Sequence, residues 1–375
     1  MNSDFDNRLL RHTLELAEHG TGRVEPNPRV GAVLVKAGEV IATGFHHHYG
    51  GPHAEAEALK EAGDDAAGST LYCNLEPCAF TSPEKHQPPC ADAIIRAGVS
   101  RVVIGQIDPH PAMGGAGIRR LQEAGIAVTL CSHHPLERDI WEFNGQFNTA
   151  MALQRPMVYL KMALTLDGRI ATSQGDSRWV TDSTAREDSH HLRRRVDGII
   201  VGRRTVELDN PTLTARLPGV TRQPRPIVLS RNAELPEDSA LLQTRGEELV
   251  VIAEDRAPEQ HVRRLAQKGA QVISLPEVTP AAVLSALWDE GMRAVLVEGG
   301  GHITTTFLQS GLWDHMVAYI APKIVGEGIS AVRALGIEKM QDAIAFESPR
   351  WRNVGTQQCL EGWRPGWYQD VYRAS

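Results

Sequence analysis

The chain has 375 residues, of which 42% are hydrophobic and 23% are charged, and its formal net charge at pH 7 is −7. This length exceeds what one hydrophobic core usually organises, so two domains of ordinary size are predicted, and the composition is that of a globular chain. The negative charge disfavours broad binding to nucleic acid or to an anionic membrane and favours a small-molecule substrate.

The N-terminal segment and the cysteines of the chain indicate the cellular compartment of the protein. Asp4 and Asp6 occupy the N-terminal segment, where a secretory signal would have basic residues followed by an apolar run. Five cysteines are present, and the spacing of Cys73, Cys78 and Cys90 is more typical of metal chemistry than of a disulfide framework. We therefore expect a cytoplasmic protein with no membrane association.

The first 130 residues alternate between helical and strand periodicities. A helix is predicted over 4–18, followed by a hairpin of strands 30–35 and 39–44 that turns at Ala37 and Gly38. Another helix begins near Pro52, and the strands "STLYCNL", "RVVIGQI" and "IAVTL" then alternate with the helices "CADAIIRAG" and "IRRLQEAG". Strands that alternate with short helices predict a largely parallel sheet with helices on both faces.

A change of pattern after Cys131 marks the predicted domain boundary. A helix over 136–150 is followed by Arg155-Pro156, which should end it. We accordingly predict domains over 1–150 and 155–375. The second domain is also expected to be α/β, because helices separate several strand-like segments: "PMVYLKMALTLDG", "DGIIVG", "RPIVLS", "EELVVIAE", "AQVISLP", "RAVLVEGG" and "HMVAYIAPKIVG".

One histidine and two cysteines of the first domain form a candidate zinc site. Zinc prefers nitrogen and thiolate ligands in tetrahedral geometry, so His53, Cys78 and Cys90 complete a catalytic set that leaves the fourth position for water. Glu55 shares the first helical turn with His53, where it can move protons without being a ligand. A His-x-Glu followed by Pro-Cys-x-x-Cys is typical of zinc deaminases, although eleven residues separate the two cysteines here.

Plainer interpretations of these residues remain open. A histidine before an Ala/Glu-rich helix is usually a surface residue, and Cys73 in an apolar strand is expected to serve packing. A polynucleotide deaminase would use the same zinc pocket, but the negative charge and the 5% aromatic content disfavour it. A deaminase-like module with purely structural zinc is the third alternative, and Glu55 argues against it.

Longer segments of the sequence resemble the family of bifunctional riboflavin-biosynthesis deaminase/reductases. The matching segments are "EPNPRVGAVLV", "GFHHHYGGPHAEAEAL", "NLEPC", "PPC", "DPHP", "LTLDGRIA", "GDSRWVT", "DNPTLTAR" and "VEGGG". The resemblance implies an N-terminal cytidine-deaminase-like α/β/α domain that uses Zn²⁺ to hydrolyse an amino group of a phosphoribosylamino diaminopyrimidinone. It also implies a C-terminal dihydrofolate-reductase-like α/β domain that reduces the ribosyl group to ribityl with NADPH.

The same resemblance implies a role for individual residues. Glu55 would be the catalytic proton carrier and His53, Cys78 and Cys90 the metal ligands. The cofactor residues would be Ala163, Trp179, Thr205, Asp209, Ser230, Gly300, Gly301 and His302. The substrate residues would be Asn27, Ser177, Arg193, Leu213, Arg216 and Glu298.

Physical arguments support some of these roles. Asn27 can donate and accept hydrogen bonds toward a pyrimidine edge, although a turn residue before Pro28 would look the same. Arg193 and Arg216 suit a guanidinium fork for the substrate's phosphate. Without the resemblance, however, three consecutive arginines on a helix would indicate a solvated face for Arg193.

Two features of the second half bear on the cofactor. The glycine run 299–301 follows an apolar strand, so backbone N–H groups can approach phosphate oxygens there, although such a run is equally typical of a tight turn. Ser230-Arg231 follows the strand "RPIVL", where NAD-binding Rossmann folds carry an acidic residue, and this favours NADP.

The chain departs from the family pattern between the cysteines. Relatives usually carry a shorter segment with an arginine there, whereas residues 79–89 read "AFTSPEKHQPP", in which Lys85 and His86 are candidate substitutes. Ala116 likewise stands where relatives tend to have a basic residue. These differences concern how the deaminase substrate is held.

We also expect the protein to form a homo-oligomer.

Overall fold

The computed structural model of the protein describes residues 3–80, 88–111, 113–131, 135–220 and 222–374. The chain divides into two compact units. The first unit runs to Gln154 and also includes the C-terminal residues from Tyr368 onward, and the second unit spans Arg155–Trp367. The predicted domain range 155–375 therefore differs from the second structural unit at its C-terminal end.

The first unit contains a five-stranded mixed sheet in the order β2-β1-β3-β4-β5. Its strands are β1 (Gly31–Lys36), β2 (Glu39–Phe45), β3 (Thr70–Cys73), β4 (Arg101–Ile104) and β5 (Ala127–Leu130). Its first helices are α1 (Ser3–Glu18), α2 (Ala54–Ala62), α3 (Cys90–Arg96), α4 (Ala116–Glu123), α5 (Pro135–Phe143) and α6 (Gly145–Leu153). β3, β4 and β5 run parallel, whereas β1 is antiparallel to both β2 and β3.

Residues that alternate along the strands pack into one hydrophobic core on each face of this sheet. Leu34 and Leu71 belong to a core that also contains residues of α2, α3 and α4. The intervening residues Val33 and Tyr72 pack with residues of α1 and α5 in a second core. The predicted α/β/α arrangement is confirmed, and so is the hairpin turn, where Ala37 and Gly38 adopt φ of 53° and 84°.

The second unit is built on a nine-stranded sheet in the order β11-β10-β9-β8-β12-β6-β13-β16-β15. Its strands are β6 (Met157–Thr165), β7 (Arg169–Thr172), β8 (Gly198–Gly202), β9 (Arg225–Leu229), β10 (Val250–Glu254), β11 (Gln271–Leu275), β12 (Ala294–Val297), β13 (His315–Ala321), β14 (Gly328–Ser330), β15 (Glu347–Val354) and β16 (Gln357–Trp363). The seven strands from β11 to β13 are parallel neighbours, β16 and β15 are antiparallel, and β7 pairs with β14 in a separate ribbon.

Helices connect most of the parallel strands. They are α7 (Ser183–Arg195), α8 (Arg203–Asp209), α9 (Ala240–Thr244), α10 (Glu259–Gln267), α11 (Pro280–Asp289) and α12 (Gly301–Ser310). A last helix, α13 (Trp367–Ala374), ends the chain. Among the helices of the described residues, none is both long and apolar enough to cross a membrane.

The helix predicted over 136–150 is two helices, α5 and α6, which are interrupted at Asn144. The Asn144 side chain accepts a hydrogen bond from the Arg29 backbone N–H at 3.0 Å and donates one to the Arg29 carbonyl at 2.9 Å. Asn144 thus fastens the break between the helices to the segment before β1, a long-range role that helical periodicity cannot indicate.

Candidate functional site

Three ligand atoms converge in the first unit. The Nδ1 atom of His53 lies 3.6 Å from Cys78 Sγ and 3.3 Å from Cys90 Sγ, and the three ligand atoms all lie within 4.8 Å of one another. Ligand atoms of a tetrahedral zinc site are separated by about 3.6 Å, given metal–ligand distances of roughly 2.0–2.3 Å. The three predicted ligands therefore fit a zinc ion without rearrangement.

Helix beginnings position two of the ligands. His53 is the N-cap of α2, with extended backbone angles of −75° and 157°, and Cys90 is the first residue of α3. The loop that carries Cys78 is tied to α3, because the Cys90 N–H lies 3.3 Å from Cys78 Sγ and the Ala91 N–H donates to the Cys78 carbonyl at 3.1 Å. Backbone donors directed at a sulfur favour its thiolate form.

The Glu55 side chain is buried beside these ligands, with 3% of its surface exposed. It follows His53 by two residues in the first turn of α2 and forms a hydrogen bond with Cys90. Burial, reinforced by the neighbouring Cys78, raises the pKa of the Glu55 carboxyl above its usual value. A carboxyl group that is close to the metal position and withdrawn from solvent suits proton transfer.

A histidine that the sequence analysis did not single out connects Asn27 to the metal site. His46 Nδ1 lies 2.8 Å from the Pro52 carbonyl, which can only accept, so Nδ1 carries the proton and Nε2 is left as an acceptor. Asn27 Nδ2 lies 3.4 Å from that Nε2, and the His46 ring meets the His53 ring edge-on at 5.5 Å. Burial lowers the pKa of His46, which favours the neutral ring. His46 thereby orients the Asn27 amide.

Glu76, within the "NLEPC" segment, fastens a second loop to the metal-binding loop. Its buried carboxylate accepts four backbone N–H bonds, from Asp108 and Gly115 at 3.1 Å and from Gly117 and Ile118 at 2.7 and 3.2 Å. The last two donors lie in the first turn of α4, where a negative charge is favourable. The sequence offered no signal for this role beyond the presence of a carboxylate in a quoted motif.

The atypical segment between the cysteines is described only at its ends. Phe80 stacks on the His110 ring with centroids 6.0 Å apart. Lys85 and His86 lie outside the described residues. Ala116 begins α4, and the nearby Arg119 donates to the Gly114 carbonyl at 3.1 Å.

The second unit contains a cavity of about 1040 Å³ at the carboxyl ends of its parallel strands. Most of the predicted cofactor and substrate residues of this half line it: Ala163, Ser177, Trp179, Arg193, Thr205, Asp209, Leu213, Arg216, Glu298, Gly300, Gly301 and His302. Ser230 lies instead beside a smaller cavity of about 250 Å³, and its hydroxyl is engaged with the Glu234 carbonyl at 2.9 Å. The volume of the larger cavity suits a dinucleotide and a second small molecule.

The glycine run leads from β12 into α12 at the wall of this cavity. Gly300 is the N-cap of α12, and a Cβ added there would meet no atom within 4 Å, so the backbone faces open space. A Cβ at Gly301 would lie 2.3 Å from the Ser330 carbonyl oxygen, so that position admits no side chain. An open backbone at a helix N-terminus fits a dinucleotide phosphate.

Arg193 has a different environment from the open fork that the sequence predicted. Its Nε and Nη2 donate to the two Glu298 oxygens at 2.7 Å each, and its Nη1 donates to the Thr214 carbonyl at 3.0 Å. Lys161, which the sequence analysis missed, places Nζ 3.9 Å from Glu298. Burial lowers the pKa of Lys161, whereas Arg193 and Lys161 together outweigh burial and hold the pKa of Glu298 at about 2.

Arg216 differs from Arg193 in its partners. It lines the cavity, and it takes part in none of the ion pairs found among the residues that the structure describes. Its guanidinium Nη2 lies 3.4 Å from His190 Nε2. An arginine in a cavity wall without a carboxylate partner is suited to an anionic ligand.

Comparisons with known proteins match both halves of the chain. The family model of the cytidine and deoxycytidylate deaminase zinc-binding region matches residues 3–106, and that of the RibD C-terminal domain matches residues 156–364. The riboflavin biosynthesis protein RibD of Aquifex aeolicus is 38% identical over 352 residues, which cover 94% of this chain and 96% of that protein.

Solved structures resemble the chain over nearly its full length. Acinetobacter baumannii RibD, form 1, superimposes with a TM-score of 0.84 at 33% identity and covers 96% of this chain and 99% of its own. A Thermotoga maritima diaminohydroxyphosphoribosylaminopyrimidine deaminase/5-amino-6-(5-phosphoribosylamino)uracil reductase gives a TM-score of 0.81 at 32% identity, with 97% and 99% coverage.

Proposed function

The chain belongs to the RibD family of bifunctional riboflavin-biosynthesis enzymes, and from this premise we propose which of its residues carry out the two reactions. The protein deaminates 2,5-diamino-6-(5-phosphoribosylamino)pyrimidin-4(3H)-one with zinc. It then reduces the ribosyl group with NADPH, which yields 5-amino-6-(5-phosphoribitylamino)uracil. The enzyme is thus both a hydrolase and an oxidoreductase.

In the deaminase, His53, Cys78 and Cys90 would hold the zinc ion. Zinc contributes Lewis acidity, which makes a water molecule nucleophilic near neutral pH. Glu55 would accept the proton of that water at its carboxylate and pass it to the departing amino group. Its buried position beside Cys90 supports this role, because burial raises the pKa of the carboxyl and so makes its carboxylate a stronger proton acceptor.

The substrate pyrimidine would be oriented by Asn27. The His46 ring accepts from one amide hydrogen of Asn27, so the amide oxygen and the second hydrogen remain for the edge of a base. Replacing Asn27 should therefore affect substrate binding more than metal binding.

In the reductase, NADPH would lie along the cavity wall formed by Gly300, Gly301 and His302, with Ala163, Trp179, Thr205 and Asp209 around it. Ser230 would act from the adjacent smaller cavity. NADPH supplies a hydride to the sugar carbon that is reduced. The open backbone at Gly300 supports this placement of the cofactor phosphates.

The substrate would occupy the part of the cavity lined by Ser177, Leu213, Arg216 and the Arg193–Glu298 pair. Arg216 would bind the phosphate, because Arg193 is already neutralised by Glu298. Reduction of the sugar also consumes a proton, and Lys161 is the ionisable donor beside Glu298. Glu298 would fix the Lys161 ammonium toward the sugar.

The deaminase residues would lie within 1–150 and the reductase residues within 155–375. We also propose that the enzyme works in a reducing compartment such as the cytoplasm, since none of its five cysteines, all of which lie in the described residues, forms a disulfide, and two of them must stay available as thiolates. A homo-oligomer is our further proposal, supported by β15, an edge strand on which Trp351 is 60% exposed.

The convergence of His53, Cys78 and Cys90 on one point beside Glu55 carries the proposed catalytic assignment. The test is to incubate the purified protein with the diaminopyrimidinone phosphate, with and without NADPH, while ammonia and NADPH absorbance are followed. Ammonia should appear in both incubations, and NADPH should be consumed only after ammonia is released. NADPH consumption without prior ammonia release would contradict the proposed order.

A further inference from the structure

The loop from Thr212 to Arg216 supplies three residues of the cavity wall, Thr212, Leu213 and Arg216. Leu213 has a φ of 50°, a left-handed conformation that side chains rarely adopt and that surrounding contacts must maintain. The loop is therefore a segment whose functional conformation depends on its neighbours.

Side chains outside the loop hold its carbonyl groups in succession. Arg245 donates to the Leu213 carbonyl at 3.2 Å, Arg193 to that of Thr214 at 3.0 Å, and Gln223 to that of Ala215 at 3.0 Å. These contacts fix the backbone, but none of them restrains the long side chain of Arg216. Holding a flexible arginine in one orientation requires a partner for its guanidinium.

His190 is in position to be that partner. It lies in α7 with 6% of its surface exposed, and it has no place in the proposed hydride or proton transfer. Its Nδ1 lies 3.1 Å from the Thr214 carbonyl and 3.3 Å from the Arg216 backbone nitrogen, and its Nε2 lies 3.4 Å from Arg216 Nη2.

The neighbours of the ring determine where its proton lies. With the proton on Nδ1, the ring donates to the Thr214 carbonyl and Nε2 accepts from the Arg216 guanidinium, so two of the three contacts are favourable. With the proton on Nε2, a donor would face the guanidinium and a lone pair would face the carbonyl. Burial, together with the charges of Arg193 and Arg216, lowers the pKa of His190 to about 4, so the ring stays neutral at physiological pH.

We propose that His190 is a positioning residue of the reductase, whose neutral imidazole holds the Arg216 guanidinium toward the phosphate of the substrate. This inference rests on the proposed function of Arg216 as the phosphate-binding residue. The ring links α7 to both the backbone and the side chain of the loop. It would thereby reduce the conformational freedom that Arg216 must lose when substrate binds.

The test compares His190→Leu and His190→Gln in the full-length, zinc-loaded enzyme, with His191→Leu as the matched control on the exposed side of the same helix. His190→Leu should raise KM for 5-amino-6-(5-phosphoribosylamino)uracil on the order of tenfold, the effect of losing one hydrogen bond to a charged group. The kcat and the Kd for NADPH, measured by fluorescence titration, should stay nearly unchanged. His190→Gln should restore KM, because an amide can donate to Thr214 and accept from Arg216.

Arg216→Lys separates the two proposals. If Arg216→Lys raises KM while His190→Leu does not, His190 is not a positioning residue and the phosphate assignment stands. If neither variant changes KM, the phosphate assignment itself is wrong. An effect of His190→Leu that persists undiminished in the Arg216→Lys background would also overturn the inference, because His190 would then act without Arg216.

Discussion

The surroundings of the Glu55 carboxyl group suit the proton transfer that we propose for it. Burial raises its pKa, and its place two residues after His53 keeps it beside the metal ligands without making it one of them. Removing its ionisable proton while keeping its shape therefore separates catalysis from metal binding.

Glu55→Gln should retain zinc and lose deaminase activity by on the order of a hundredfold or more. The reductase activity toward the deaminated substrate should be unaffected, since its cavity lies within the second unit. The measurements are ammonia release, zinc content and NADPH oxidation. Glu57→Gln, in the same helix, is the matched control, and substantial ammonia release by Glu55→Gln would mean that another group carries the proton.

The metal ligands permit an equally direct prediction. The protein should bind one zinc ion per chain, and Cys78→Ala and Cys90→Ala should each lose it, because three protein ligands already leave one position open and two hold zinc poorly. Elemental analysis of the purified variants is the measurement. Cys131→Ala should retain zinc, and full zinc occupancy in both ligand variants would refute the assignment.

Arg216 allows a test of the phosphate assignment. Arg216→Lys keeps the charge but loses the planar pair of donors, so KM for the phosphorylated substrate should rise by about ten- to a hundredfold. The Kd for NADPH should change little. Steady-state kinetics and a separate NADPH titration distinguish these effects, and a defect confined to NADPH binding would place the sugar phosphate elsewhere.

Among the elements, the C-terminal helix α13 belongs to a unit that the sequence did not indicate. Its residues from Tyr368 onward belong to the first unit, where the Tyr368 and Tyr372 rings meet the buried Trp141 at 6.3 and 5.6 Å. These residues thus complete a core that begins more than 200 positions earlier in the chain.

A protein that ends after Trp367 should therefore have a less stable first unit. Edge-to-face aromatic pairs contribute about 0.5–1.5 kcal/mol each beyond the area they bury, so the two ring pairs alone should account for on the order of 1–3 kcal/mol, to which the lost burial of Val371 adds. The loss should appear as a lower denaturation midpoint and faster zinc release to a chelator, with NADPH binding unchanged. Truncation after Tyr372, which keeps both tyrosines, is the control, and equal stability of the two truncated proteins would contradict this role.

Four of the strands that the sequence predicted share a physical property. β8, β9, β10 and β12 are central strands of a mostly parallel sheet that is covered on both faces, so they appear in the sequence as continuous apolar runs. β15 was missed because its residues 349–353 are exposed and include a proline and two arginines, a composition with no strand periodicity.

The site residues likewise divide into those that the sequence could predict and those that it could not. His53, Glu55, Cys78 and Cys90 could be predicted because residue type and spacing along the chain carry their chemistry. The environment of Arg193 could not, because its partner Glu298 lies 105 residues away and only the fold brings the two together. His190 and Lys161 escaped notice for the same reason.

At the scale of the whole molecule, buried ionisable groups of the second unit determine its response to acid. Burial is the main cause that lowers the pKa of both His190 and His315 to about 4, below the usual 6.5. The unfolded chain therefore binds more protons than the folded one between these values, and stability is lost as pH falls from about 6.5 toward 4. Glu298, with a pKa of about 2, extends the loss from about 4.5 downward.

The second unit should thus show a falling denaturation midpoint as pH is lowered from about 6.5 to 4, with each histidine accounting for at most about 3 kcal/mol. Unfolding followed at several pH values is the measurement. Combining His190→Leu with His315→Phe should flatten the profile in this interval, whereas His191→Leu should not. A profile that the double variant leaves as steep would assign the acid sensitivity to other groups.

The first unit contains both the first residues and the last residues of this chain. The second unit is therefore an inserted domain, here called the guest, and the first unit is its host. A protease that cuts once between Gln154 and Arg155 would leave the guest still attached through α13, and only a second cut near Trp367 would release it. A protein engineer who exchanges the reductase for another domain would accordingly have to return the C-terminus of the replacement to the helix that the deaminase retains.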